Sequence, residues 1–196
     1  MILVEETGVA EVPVAALKEH LRLGTGFADD GLQDVVLEGF LRAALAAIEA
    51  RTGKVLLKRE FLWQRENWGD YGRQPLPVAP VSEILSVELV DGAGAGVTVS
   101  PGSYRLIEDA SRPVLEARGG ALPAIPSGGH VAIRLRAGFG AEITDLPADL
   151  AQAVLMLAAH FYEFRHDTTL GAGCMPFGVS TLIERYRNVR LFGGRT

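Results

Sequence analysis

The sequence predicts an α+β fold: a helical bundle (two N-terminal helices and a later long helix), a small and mostly antiparallel β-sheet, and a C-terminal helical extension. Three observations carry this. Apolar residues recur at helical spacing on both sides of a central stretch, they alternate with period two inside it, and the strands there follow one another at hairpin-like spacing with no helix between them. The 196 residues, 48% hydrophobic and 22% charged, suit one domain with one core and a small appendage, and need no disulfide to hold it.

The elements follow in order. Pro13 to Leu23 reads as a short helix, because proline fits a first turn where its missing N–H would be unpaired anyway; Val14, Leu17 and Leu21 give the spacing and Gly24 the stop. Asp29 or Asp30 is placed to cap a longer helix that runs to Thr52 and ends at Gly53. Leu32, Val35, Val36, Leu37, Phe40, Leu41, Leu45 and Ile48 spread over more than one stripe of it, so it is expected to be buried on two sides, by a sheet and by something else. Val55 to Glu66 reads as one long strand or two short ones. Gln74 to Pro80 holds Pro75, Pro77 and Pro80 and is expected to be extended and unpaired.

Leu85, Val87 and Leu89 alternate with Ser86 and Glu88 in a half-buried strand. Asp91 to Gly96 is the turn and Val97 to Val99 the return. Tyr104–Ile107 and Pro113–Ala117 form another pair, and Val131, Ile133 and Leu135 mark a last strand before Gly138. Leu146-Pro147 opens a helix with Leu150, Val154, Leu157, Ala158 and Phe161 on one face, out to Arg165. A polar, glycine-rich break (residues 166–173) leads to a short helix from Val179 to Arg190. The expected organisation is a body over 1–165 and an extension over 166–196 too short to fold alone.

Composition excludes several classes. A single cysteine, Cys174, rules out an internal disulfide and a multi-cysteine zinc site. No apolar run reaches the roughly 18–20 residues of a membrane-spanning helix, and the opening MILVEETG lacks the basic start and long apolar stretch of a signal peptide, so the chain is expected to begin in the cytosol. The net charge of −5 argues against a broad grip on nucleic-acid phosphates. Residues 1–50 carry nine acids against three bases, while Thr181 to Thr196 carries Glu184 against Arg185, Arg187, Arg190 and Arg195. An acidic front and a basic tail fit a head-to-tail contact or an acidic partner, or two solvated faces.

Motifs for chemistry are missing. His160 and His166 stand six residues apart, about 120° round a helix at ~100° per residue, which does not bring two metal ligands to one face. Gly92-Ala-Gly-Ala-Gly96 is followed by a strand rather than a helix, so it is a hairpin turn and not a phosphate loop. Nothing beside Cys174 would activate a thiol. Trp63, Trp68, Tyr71 and Arg73 are interleaved with Glu66 and Asp70 and read as packing on a neighbour rather than a base-stacking platform. No catalytic residue, cofactor or metal is expected.

The order of the pieces resembles a known family. Leu17-Lys-Glu-His-Leu-Arg22, Asp29-Asp30, the helix ending Ala50-Arg-Thr-Gly53 and the strand Leu57-Lys-Arg-Glu-Phe61 come first. Leu76-Pro-Val-Ala-Pro-Val81, Ile84-Leu-Ser-Val-Glu-Leu-Val-Asp91 and the Tyr104 strand follow. Then come Ile133-Arg-Leu-Arg-Ala-Gly-Phe-Gly140, the helix from Leu146-Pro-Ala-Asp-Leu150 to Ala159-His-Phe-Tyr-Glu163, Pro176-Phe-Gly-Val-Ser180 and Leu182-Ile-Glu-Arg-Tyr-Arg187. Over Val12 to Arg190 this series resembles the gp6-like head–tail connector (adaptor) family of tailed phages and gene transfer agents.

The resemblance implies a non-enzymatic subunit of a ring, twelvefold to match the portal, located in the virion and assembled in the host bacterial cytoplasm. The ring would sit between the portal and a stopper or tail-completion protein and line a channel that passes DNA without sequence-specific binding. On this reading Leu182, Ile183, Arg185, Tyr186, Arg187, Val189, Arg190, Leu191 and Phe192 are portal-binding candidates, and Val36, Phe40, Trp63, Trp68 and Tyr71 subunit-interface candidates. Three alternatives stay open: a small intracellular binding module or dimeric regulator, an enzyme without a local motif, and another virion protein such as a stopper or tail terminator.

Overall fold

The computed structural model describes residues 1–9, 12–22, 31–165 and 175–187. These form four α-helices and two antiparallel sheets, the α+β class the periodicities predict. The apolar residues collect in two compact units rather than one core. One is drawn from Met1–Ala10 and Val55–Ala141, the other from Glu11–Lys54 and Glu142–Thr196.

The β unit holds eight strands: β1 (Ile2–Glu5), β2 (Arg59–Arg65), β3 (Arg73–Pro75), β4 (Val81–Val90), β5 (Gly96–Thr98), β6 (Tyr104–Ile107), β7 (Val114–Ala117) and β8 (His130–Ala137). They make not one sheet but two, a five-stranded sheet in the order β1-β2-β8-β4-β5 and a three-stranded one in the order β3-β7-β6. β8 is the central strand: Val131, Ile133 and Leu135 are fully buried, while Arg134 and Arg136 point the other way to carboxylates. Opposed residues in an antiparallel pair share a face. The register Trp63↔Ile133↔Val87 therefore stacks three buried side chains across β2, β8 and β4. Leu115 and Tyr104 of the three-stranded sheet join the same apolar cluster.

Two differences from the expected elements have physical causes. β1 has too few residues to show a period, and all four are exposed, so the sequence holds no alternation to read. The segment expected to be unpaired begins with a paired strand, with Gln74 opposite Leu115 and Pro75 opposite Val114. β3 lies at the edge of its sheet, where proline's missing N–H costs no ladder bond. At Gly138 (φ 127°) an added Cβ would lie 2.5 Å from the Lys58 amide nitrogen, so this turn requires glycine.

The helical unit comprises α1 (Val14–His20), α2 (Gly31–Thr52), α3 (Ala148–Glu163) and α4 (Phe177–Ile183), the last continued by a 3-10 turn over Glu184–Tyr186. Pro13 precedes α1 and Pro147 precedes α3, as the spacing predicts. α2 stops where Gly53 takes a φ of 68° and Thr52 Oγ1 donates to the Ile48 carbonyl at 2.8 Å, a glycine-terminated helix end. Leu37, Leu41, Ala44, Leu45 and Ile48 form its buried stripe, and both α1 and α3 pack on α2. Among the described residues α2 buries one side, where two were expected, and Val35 and Val36 are exposed. The capping role expected of Asp29 or Asp30, and the break over 166–173, lie outside the described residues.

Candidate assembly surfaces

Three surfaces stand out, one in the β unit and two in the helical unit. The first is an open concavity of about 1420 Å³ lined by Met1, Ile2, Trp68, Tyr71, Ile125 and His130 among others. Its wall is fixed by backbone-directed polar groups. Trp68 Nε1 donates to the Pro123 carbonyl at 2.8 Å and the Leu122 amide to the Tyr71 carbonyl at 2.6 Å. The buried Gln74 accepts from the Gly69 amide at 2.7 Å and donates to the Pro75 carbonyl at 2.8 Å, which pins the loop carrying Trp68 and Tyr71. Tyr71 itself is 86% exposed.

The second surface is the outer side of α2. At ~100° per residue, Val36, Gly39, Ala43, Ala46 and Ala50 fall on the arc opposite the buried stripe, and each is exposed. Phe40 borders this arc, half-buried, with its ring edge-on to Tyr162 at 6.2 Å.

The third is α4 with its 3-10 turn. Val179 and Ile183 are buried and the helix packs on α3. Tyr186 Oη donates to Asp149 Oδ1 at 2.7 Å, and Arg185 Nε pairs with Asp149 Oδ2 at 2.8 Å. Burial, then the bond to Asp149, raises the Tyr186 hydroxyl above the usual tyrosine range. Arg187 pairs with Glu184 at 3.0 Å, while Phe177 projects outward, 87% exposed.

The expected site residues therefore separate. Val36 and Tyr71 are exposed, and Phe40 and Trp68 are half-buried. Trp63 is neither: it is 1% exposed, within the chain's own apolar cluster, so its assignment to a subunit interface is corrected. Phe61 and Trp63 alternate with Leu62 and Gln64, and both point inward on β2. Ile183 is spent on α3, Tyr186 on Asp149, and Leu182 is half-buried, leaving Arg185 and Arg187 as the more exposed members of the candidate portal set. Val189, Arg190, Leu191 and Phe192 lie outside the described residues. Among the described residues no group of three or more His, Cys, Asp or Glu is placed to hold a metal ion. His160 packs against Phe164 at 4.7 Å between ring centroids.

No protein-family model and no curated protein matches the chain. Solved structures do. Over the full length of both chains, it is 52% identical (TM-score 0.89) to a chain from the neck of an empty gene transfer agent particle computed with C6 symmetry. It is 47% identical (TM-score 0.85) to one from the neck of a native particle computed with C12 symmetry, again with complete coverage of both. A chain from the virion of the native particle matches at 51% identity with a TM-score of 0.87. The chain belongs to the gene transfer agent neck proteins. The sequence singles out residues on all three surfaces: Trp68 and Tyr71 on the loop, Val36 and Phe40 on α2, and Leu182, Ile183, Arg185, Tyr186 and Arg187 on α4 and its 3-10 turn. It did not signal β1, whose exposed run borders the same concavity.

Proposed function

We propose that this neck protein is the head–tail adaptor of a gene transfer agent particle, a non-catalytic structural subunit that stands in a closed ring between the portal and the stopper or tail-completion protein. The observation that carries the reading is the full-length match at 47–52% identity to neck chains treated with C6 and C12 symmetry. A cyclic ring repeats one unlike pair of surfaces around its axis. The outer face of α2, with Val36 and Phe40, and the loop with Trp68 and Tyr71 are the surfaces this chain has for such contacts. The net charge of −5 favours a channel that repels phosphate and so passes DNA without holding it.

Docking on the portal falls to the C-terminal extension. Arg185 and Arg187 are exposed at the end of an anchored helix, each paired with a carboxylate, Asp149 or Glu184, that a partner's acidic group could replace, and residues 188–192 add Val189, Arg190, Leu191 and Phe192 beyond it. Removing the whole of 180–196 would also remove the buried Ile183, so the cleaner test deletes 188–196 and adds Arg187→Glu. Heads that carry portal are expected to lose this subunit while the isolated chain still folds. Wild-type recruitment of the shortened chain would contradict portal docking through this segment.

A further inference from the structure

We infer that β1 is an open sheet edge on which a second copy of this chain adds a strand, so that neighbouring copies in the ring are joined by backbone hydrogen bonds. The inference rests on the ring reading above and names where the copies meet. β1 ends the order of the five-stranded sheet, and among the described residues no strand pairs with its outer side. Its residues are exposed on both faces, Ile2 at 56% and Val4 at 47% on one and Leu3 at 40% on the other. Natural edges are commonly blunted by charged residues, proline or a bulge; β1 has no proline and no bulge, its one charged residue, Glu5, is paired with Arg59 at 3.2 Å, and its register with β2 is unbroken from Gln64 to Phe61.

The backbone alternation fixes which groups are on offer. The Glu6 amide donates to the Glu60 carbonyl at 2.9 Å, so Glu6, and with it Val4 and Ile2, turn their peptide groups toward β2. Those of Leu3 and Glu5 point outward. Met1 and Ile2 also border the concavity that holds Trp68, Tyr71 and Ile125, so a strand laid along β1 finds a recess for its side chains, the arrangement by which extended segments are recognised at sheet edges.

A second copy is the occupant because a cyclic ring needs two unlike patches on one chain, and this sheet has them. Its other end is β5, also fully exposed. There the Val99 amide bonds the Val87 carbonyl at 2.8 Å and the Asp91 amide the Ala95 carbonyl at 2.9 Å. By the same alternation, Gly96 and Thr98 turn their peptide groups outward. Joining copies through such edges leaves none of them open to unwanted pairing.

The test compares amide hydrogen exchange in the free full-length chain and in necks isolated from particles, and follows the entry of Leu3→Pro and Val4→Lys chains into those necks. Proline removes an amide that the chain's own fold does not use, and Val4 lies opposite Leu62, on the side of the sheet away from Trp63, so a lysine there charges the edge without touching the core. The Leu3 and Glu5 amides are expected to exchange at least about tenfold more slowly in the neck, and both variants to enter about tenfold less well, the scale of one or two lost hydrogen bonds. The melting temperature of the free chain should be nearly unchanged. Equal exchange in both states, or normal entry of both variants, would overturn the inference while leaving the ring intact. Loss of contact with a different neck protein, with copies still joined to one another, would overturn it as well. A wild-type chain found in particles as a lone copy would instead overturn the ring reading itself.

Discussion

The β unit and the helical unit expose apolar surface in different ways. In the β unit the inward faces of β2, β8 and β4 close on one cluster with Leu115 and Tyr104, and the large exposed apolar residues are Met1 to Val4, Tyr71 and Val97. They sit at the sheet's edges and on one loop. In the helical unit a single helix has two characters: α2 buries Leu37, Leu41 and Ile48 on one side and shows Val35 and Val36 on the other. The sheet has one face on its own core and ion pairs on the other, so its exposed apolar residues are left to its edges, whereas a helix can show them along a whole second side. In a subunit built for assembly, then, exposed greasy residues mean different contacts according to the element that carries them.

The largest expected effect tests the inward side of the β unit. Trp63→Ala should cost about 3–5 kcal/mol in chemical denaturation, whereas Tyr71→Ala on the exposed loop should stay within about 0.5 kcal/mol; similar costs for the two would erase the distinction between core and docking aromatic. Next, α2 can be probed on both sides. Leu41→Ala should lower the stability of the free chain by about 2–5 kcal/mol and Val36→Ala by about 0.5 kcal/mol or less. If the Val36 variant proved as costly, the outer face would already be occupied in the free molecule.

A smaller effect is expected at the end of the helical unit, where Tyr186→Phe should cost about 0.5–1.5 kcal/mol in thermal unfolding, by loss of the bond to Asp149. No change would mean that α4 is held by Val179 and Ile183 alone. The smallest is a matter of pH. Glu116 accepts from Arg105 Nε at 2.7 Å and pairs with Arg73 at 3.0 Å; the Arg105 bond above all holds its carboxyl below the usual range. Such a group stabilises the fold above its unfolded pKa, and the contribution disappears as pH falls through the lower folded value. Glu116→Gln should therefore be less stable than wild type at neutral pH, and the gap should close in acid. A gap independent of pH would assign the cost to packing.

Much of this fold was legible because it is periodic. β8 alternates from Ile133 to Ala137 and α3 repeats Leu150, Val154, Leu157 and Ala158 with its buried side on one stripe, so both could be placed from sequence. β1 could not, since four consecutive exposed residues have no inside to announce. β3 was hidden by proline, whose effect depends on whether its missing N–H faces a partner or an open edge, a tertiary fact. The candidate surfaces were half legible. The surplus of apolar residues on α2 suggested burial on two sides, whereas Val35 and Val36 are exposed, and Tyr71 of the aromatic loop is exposed as well. Trp63, chemically the same kind of signal as Trp68, differs only in which side of β2 it occupies, and its alternation with Leu62 carried that information. The anchoring of α4 through Tyr186 and Asp149 joins residues far apart in sequence that no local pattern connects.

The central claim, that this chain is a ring subunit at the junction of head and tail, is tested most directly by electron microscopy of particles produced without it and with it restored. The account predicts DNA-filled heads and free tails that fail to join in its absence, and on restoration a cyclic ring of density at the neck into which the two units fit. Normally tailed particles formed without the chain would contradict it.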